Sequence, residues 1–413
     1  GVLFGLTNLT FAQGQSNLDY SNGILYGDAE HTSIVFVSPS AVLGDFVLPD
    51  SVKTIADSAF SGNSTLTSFT VTANSQLKKI GYGAFSYCAN LVKVTLPVGN
   101  DIVIDSCAFI NSAKLAEINL EGVKAVGEYA FYKTALRNTL TNPISLTCDG
   151  VIIGAYAFAE LSTLQGVRIG DNAIICEFAF AGSALRSVVM GSNGGITIGE
   201  SAFEKSTKLV DIDLSKATGK VGDYAFYQCS SLVSVSLDNI TELGEGCFQA
   251  CSKLTAARNT NNVVTVGQGA FMADGIIVEG VLQILAPVPL AGFDFDSVTE
   301  IGDFAFFSTN LTSVNLSNVT ALGGSAFADC EQLETVTFGE KLTVLNDSAF
   351  FGCKNLQIGE NDLKNFVKIG SAVFYQAKLP KTLNLDNVEE LGEQAFIEDT
   401  KTCNNLENVI APK

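Results

Sequence analysis

Tryptophan is absent from this 413-residue chain, methionine occurs twice, and histidine occurs once, at His31. A lone histidine cannot build the usual zinc site, and no serine or cysteine motif partners it into a catalytic triad. Basic residues are scarce: 24 Lys and Arg stand against 43 Asp and Glu, a formal net charge of −19. Phosphate binding needs clustered Lys and Arg, so nucleic acid is excluded as a partner and docking on anionic lipid is disfavoured. No apolar run approaches the roughly 18 residues that a transmembrane segment needs. Ten cysteines are too few for a disulfide scaffold, none form a Cys-x-x-Cys pair, and Cys247 with Cys251 is the closest spacing. Neither Gly-x-Ser-x-Gly nor a P-loop occurs. Asp211-Ile-Asp213 and Asp294-Phe-Asp296 lack the oxygen ligands and glycine of a calcium loop. No carboxylate spacing selects a glycosidase pair. The sequence therefore points to no enzyme, no metal and no cofactor. The chain opens Gly1-Val2-Leu3-Phe4 without an initiator methionine, so a signal peptide, had one existed, is expected to have been removed.

What the chain has is a repeat. Fifteen of its 28 phenylalanines recur as Phe60, Phe85, Phe109, Phe131, Phe158, Phe180, Phe203, Phe226, Phe248, Phe271, Phe306, Phe327, Phe350, Phe374 and Phe396. Most intervals are 22 to 25 residues; 27 follow Phe131, 35 follow Phe271 and 21 follow Phe306. Around each anchor lies an aliphatic pair, usually a glycine, a short Ala-Phe turn, then Leu-x-x-Val-x-Leu, as in VGDYAFYQCSSLVSVSL at 221–237. That period and closing pattern are the leucine-rich-repeat signature. In Leu232–Leu237, alternation sends Val235 and Leu237 to one face and Ser234 and Ser236 to the other. Six residues make no stable strand alone, so turns must stack at about 4.8 Å, and fifteen of them predict a superhelix on the order of 70 Å long.

The fold expected is a β-rich α/β solenoid, a right-handed superhelix with a parallel β-sheet on its concave face. The Ala-Phe segments would form the other wall as short α or 3₁₀ turns. Glycine four residues before the anchor (Gly81, Gly127, Gly222 and others) answers to positive φ or close packing. The acid that often follows (Asp57, Glu128, Asp223, Asp303, Asp347 and others) would complement a helix N-terminus. Residues 1–46 read as a partial repeat with a hairpin-containing capping unit. Residues 47–413 hold about fifteen repeats, with a longer irregular unit or hairpin at 272–297. Residues 254–262 lack an apolar strand face, and the segment from Leu136 to Thr141 is off-pattern.

The frame Ile/Val-Gly-Asp/Glu-x-Ala-Phe-x-x-Cys-x-x-Leu-x-x-Val-x-Leu, nearly whole at 221–237 and 322–338, resembles the BspA-type leucine-rich repeat of bacterial and protozoan surface proteins. The resemblance covers about residues 47–413, and LDYSNGILYGD at 18–28 is similar to that family's hairpin-containing unit. It implies a secreted or surface-anchored solenoid, often linked to adhesion, with no catalytic residues to carry over.

Cys88, Cys229, Cys251, Cys330 and Cys353 lie three residues after an anchor, while Cys247 and Cys176 take alanine and glycine slots. That phase predicts small buried hydrophobes. Adjacent turns would bring Cys229 near Cys251 and Cys330 near Cys353, a spacing open to disulfides.

The expected binding surface is the row of outward strand positions: Lys93, Thr95, Glu117, Asn119, Arg168, Asp211, Asp213, Ser234, Ser236, Ser313 and Asn315, flanked by Ser68, Thr70, Ser187, Thr335 and Thr337. Few aromatics fall there, which counts against tight sugar stacking and against a concentrated hot spot. The leading reading is an extracellular, cell-surface adhesion or protein-recognition module whose partners are host or microbial surface proteins or matrix. The alternative is a glycan-binding or nutrient-capture protein. The last strand, Leu406 to Ile410, would leave an open edge and favour end-to-end self-association.

Overall fold

The computed structural model describes residues 18–278, 281–397 and 406–410. The chain divides after Ser206 into two compact units. Each is built from coils of the same cross-section: a short strand before the glycine, a turn wall around the anchor, and a second strand at Leu-x-x-Val-x-Leu.

The first unit opens with an antiparallel meander, Asp19–Ser21 with Ile24–Tyr26 with Ser33–Val37, where Asn22 and Gly23 make the first turn at positive φ. Parallel pairing then begins. Thr54–Ile55, Lys79–Ile80, Ile102–Ile104, Val123–Val126, Ile152–Ile153, Ile174–Ile175 and Ile196–Ile198 follow one another in a single ladder. In the second unit a ladder of the same kind runs through Ala217–Val221, Ile240–Leu243, Thr265–Val266, Glu300–Ile301 and Ala321–Leu322. Val344–Leu345, Lys368–Ile369 and Glu390–Leu391 form a further three-stranded group. These strands precede the turn glycine and are not those of the Leu-x-x-Val-x-Leu segments. The latter also pair in parallel, but in separate pieces of two to four strands. Ala256–Arg258 is one of them: it pairs with Ser234–Ser236, so the segment that looked strandless is held by backbone register instead of an apolar face.

The anchors fill the core. All but Phe396 are fully buried. Their rings stack coil on coil, from 4.7 Å between Phe60 and Phe85 to 5.4 Å between Phe180 and Phe203 in the first unit. In the second unit the spacing runs from 5.2 Å for Phe226 and Phe248 to 6.0 Å for Phe374 and Phe396.

The wall corrects the expectation of helical turns. Among the described residues the one helical segment is the 3₁₀ turn Thr260–Asn262, which lies in none of these walls. Instead, the residue two before every anchor is left-handed, with φ between 50° (Ser201) and 59° (Gly269). The residue two after usually is as well, as at Tyr87 and Glu160. Left-handed residues at such spacing forbid a continuing right-handed helix. They also turn alternate N–H groups toward the next coil: Ser58, Phe60 and Gly62 donate to the carbonyls of Tyr82, Ala84 and Ser86. The intervening Ala59, Ser61 and Asn63 donate within their own turn to Ala56, Ser58 and Phe60. Each amide from Ser58 to Asn63 of this wall is thus satisfied, as burial requires.

The same geometry replaces the helix-dipole account of the acids. Asp57, Asp223, Asp303 and Asp347 accept hydrogen bonds through Oδ1 from the amides of Tyr82, Glu245, Gly324 and Ser371, one coil on. It also decides the role of the glycines. Gly127 has no positive φ, yet a Cβ there would lie 2.3 Å from the Ser106 amide nitrogen. Close approach of neighbouring backbones, not conformational freedom, demands glycine.

The cysteines are more than small hydrophobes. Cys88, Cys251, Cys330 and Cys353 donate S–H bonds to the carbonyls of Phe60, Phe226, Phe306 and Phe327 at 3.1–3.2 Å. Ser112 fills the same slot and donates to Phe85. Cys251, Cys330 and Cys353 are in no disulfide, so neither adjacent-turn pair forms. Burial pushes the Cys88 thiol up to about 12 and that of Cys330 to about 11. Cys403 lies outside the described residues. At 272–297 the chain forms an antiparallel hairpin, Asp274–Val278 with Val281–Ala286.

Candidate functional site

The sheet of the Leu-x-x-Val-x-Leu strands breaks once within the first unit, and the break makes a site. Gly44–Val47, Leu66–Thr70, Lys93–Thr95 and Glu117–Ile118 form one sheet; Ile144–Leu146, Gly166–Ile169 and Ser187–Met190 form the next. The cause is local. Ile144 lies thirteen residues after Phe131, whereas its register partner Val167 lies nine after Phe158. Four extra residues, 139–142, turn out of the coil and close on themselves through a bridge between Thr139 and Asn142.

Before the detour the coil is regular. The amides of Ala135 and Arg137 donate to Leu115 and Ala116 of the preceding coil. Thr163 Oγ1 donates to the Leu136 carbonyl at 2.6 Å, and Asn138 Oδ1 accepts from the Gln165 amide at 2.7 Å. Beyond that point the edges of Glu117–Ile118 and Ile144–Leu146 carry no strand partner on their facing sides. Between them opens a cleft of about 970 Å³.

Its walls mix polar and apolar groups. Lys93 Nζ lies 3.4 Å from Glu117 Oε2, an exposed pair of small energetic weight. Asn119 uses its amide in place of a strand partner: Oδ1 accepts from the Leu96 amide at 2.8 Å and Nδ2 donates to the Leu96 carbonyl at 2.6 Å. Arg137 is exposed on the cleft wall and makes no ion pair among the described residues. Glu121, Asn142, Pro143, Ser145 and Gln165 are also part of the lining.

Lys93, Thr95, Glu117 and Asn119, expected to share one surface, thus converge on this cleft. Arg168 points outward from the following sheet, in register with Ser145 and Val189, and is not part of the lining. In the second unit Asp211 and Asp213 stand exposed opposite Ser234 and Ser236, and those two stand opposite Ala256 and Arg258. Ser313 and Asn315 are exposed on another sheet, opposite Thr335 and Thr337, and Asn315 Nδ2 donates to Asp296 Oδ1 at 3.0 Å. The outward positions therefore form separate polar patches, and one group of them lines a cleft.

Two sets of residues escaped the sequence reading. Arg137, Asn142 and Gln165 line the cleft because of the detour, which the 27-residue interval and the off-pattern segment 136–141 marked. Aromatic side chains, sparse on the strands, lie on the turn wall: Tyr129, Tyr132, Tyr156 and Phe178 are half-buried there, and Tyr82 and Tyr87 are 52% and 61% exposed. The aromatic residues flanking the anchors, as in YAFY at 129–132, were the available signal.

Several solved structures are similar to this chain at low identity. A leucine-rich repeat protein from Bacteroides ovatus is 19% identical over 97% of this chain and 88% of its own, with a TM-score of 0.46. A leucine rich cell surface protein from Faecalibacterium prausnitzii is 18% identical over 97% and 96%, with a TM-score of 0.39. A pneumococcal vaccine antigen is 14% identical over 96% and 99%, with a TM-score of 0.41. No curated protein sequence matches. The family model for the BspA type leucine-rich repeat region matches residues 35–148, 151–277 and 293–413, in six copies. Those spans take in nearly every coil described above, and the chain belongs to the BspA type leucine-rich repeat family.

Proposed function

We propose that this chain is a non-catalytic recognition module of the cell exterior that binds a protein partner, and that the cleft between Glu117–Ile118 and Ile144–Leu146 is its principal contact. The observation that carries this reading is the break itself. A solenoid gains nothing in stability from interrupting its sheet, whereas two facing strand edges beside an exposed guanidinium offer backbone and charged contacts to a polypeptide. Arginine is a frequent centre of protein interfaces. The exterior location rests on the family, whose members are surface proteins, and the host, microbial or matrix identity of the partner is read from the same source. The outward patches at Asp211, Asp213, Ser234, Ser236, Ser313 and Asn315 are secondary contacts in this reading, and Arg168 flanks the principal one. The chain's negative charge suits a partner of basic character.

The test is a screen of the folded chain against immobilised matrix and host-surface proteins and a glycan array. Each hit is then repeated with Arg137→Glu and with Thr95→Trp, which places a bulky ring in the cleft. The proposal expects a protein hit whose affinity falls about tenfold or more in both variants, a loss of ~1.4 kcal/mol or more. Hits confined to glycans, or protein hits indifferent to both variants, overturn it.

A further inference from the structure

The turn wall of the first unit holds a second recess that shares no lining residue with the cleft. Two columns of side chains define it. Two residues before the anchors stand Tyr129, Tyr156 and Phe178, with ring centroids 4.7 Å apart and planes within 6°. One residue after the anchors stand Tyr132, Ala159, Ala181 and Glu204. Tyr132 sits at 81° to Tyr129, with centroids 5.5 Å apart, and closes one end. The two alanines leave a slot of about 230 Å³ between that ring, the stacked column and Glu160 and Glu204.

Size and charge select the occupant. The slot accepts only a small group. A sugar would need an open ring face, and Tyr156, at the centre of the slot's stacked column, has both of its faces covered by Tyr129 and Phe178. An anion would meet Glu160 and Glu204. The field is negative: burial first, then Tyr129 and the carboxylates of Glu177, Glu204 and Glu200, hold the Tyr156 phenol above its ordinary value. Lys133 Nζ already lies 5.3 Å from the Tyr132 centroid, so that ring takes a cation on its face. Lys205 pairs with Glu204 at 2.7 Å, and the Tyr132 hydroxyl donates to Glu160 at 3.2 Å.

We propose that this slot binds an alkylammonium group, its cation among Tyr132, Glu160 and Glu204 and its alkyl stem against Ala159 and Ala181. The group comes either from a free amine or from a lysine side chain on a polypeptide. The chemistry is the same, and the probes separate the sources.

The test is titration of the full chain, with its alanine methyls ¹³C-labelled, against n-butylammonium chloride, with n-butanol as neutral control. The Ala159 and Ala181 methyls are expected to shift saturably with the amine and about tenfold more weakly, or not at all, with the alcohol. Glu160→Gln with Glu204→Gln is expected to cut affinity about tenfold. Ala181→Phe, which fills the slot, should abolish the shift of Ala159. Equal affinity for butylammonium and for acetyl-Gly-Lys-Gly amide assigns a free amine; tighter binding of the peptide assigns lysine. The proposal is overturned by butanol binding as tightly as the amine, by the double variant binding as well as the parent, or by no saturable shift with either cation.

Discussion

The turn wall carries two contrasting stretches on one backbone plan. Around residues 129–205 the column after the anchors reads Tyr132, Ala159, Ala181, Glu204, and the wall stays open. Around residues 272–375 it reads Met272, Phe307, Ala328, Phe351, Tyr375, and the wall closes. There Phe307 and Ala328 are buried with Ala273 beneath Met272, Phe304, Phe351 and Ile284, the last supplied by the hairpin. Backbone conformation is the same in both: Tyr129, Tyr156 and Phe304 are left-handed within a degree of one another. The wall's scaffold is therefore fixed by the anchor and its ladder of hydrogen bonds, while one column of side chains decides whether the outside is a core or a surface.

Substitutions sharpen this contrast. Phe158→Ala, in the shared anchor column, and Phe307→Ala, in the closed wall, should each cost about 3–5 kcal/mol by opening a cavity. Tyr132→Ala, in the open wall, should cost only about 0.5–1.5 kcal/mol, the worth of its ring pair with Tyr129. Shifts of the urea unfolding midpoint measure all three, and a Phe307→Ala cost as small as that of Tyr132→Ala would erase the distinction between the two stretches.

Backbone approach is the next largest effect. Gly127→Ala must push apart two coils whose backbones leave no room for a Cβ, at about 1–3 kcal/mol. Gly292→Ala meets open space and should be close to neutral. Thermal melts of the two variants side by side check this, and equal melting temperatures would contradict the close-approach account.

Hydrogen bonding inside the wall gives the smallest contrast. Cys330→Val removes one of three donors to the Phe306 carbonyl, which keeps the Thr309 amide and hydroxyl, at about 0.5–1.5 kcal/mol, whereas Cys330→Ser keeps a donor as Ser112 does and should cost less. Since burial raises the Cys88 and Cys330 thiols, both should also resist alkylation at pH 8 until the chain unfolds. Mass spectrometry of iodoacetamide-treated protein reads this directly; rapid labelling of Cys330 in the folded chain would refute it.

Much of this was legible in the sequence, for identifiable reasons. The Phe column and the coil period follow from spacing alone, because a fixed period of apolar residues has one economical packing. The closing Leu-x-x-Val-x-Leu strands were equally visible. The long ladder before the glycines was not, since two residues such as Lys79–Ile80 carry too short an alternation to announce a strand. Helix was expected in the wall because Ala-Phe with a nearby acid suits a helical first turn. Nothing in a tyrosine or serine announces the left-handed conformation that Tyr129 and Ser325 adopt. The cleft was half visible: Lys93, Thr95, Glu117 and Asn119 were identified, but the detour that gathers them with Arg137 showed only as an overlong interval.

The central structural claim is that the wall is a ladder of bonds between coils rather than a row of helical turns. Residue-resolved amide hydrogen exchange tests it most directly, at Tyr156, Phe158 and Glu160, which donate to Glu177, Ala179 and Ala181 of the next coil. The account predicts protection at all three comparable to that of the strand Ile152–Ile153. Exchange at these amides as fast as in an unfolded chain would contradict it.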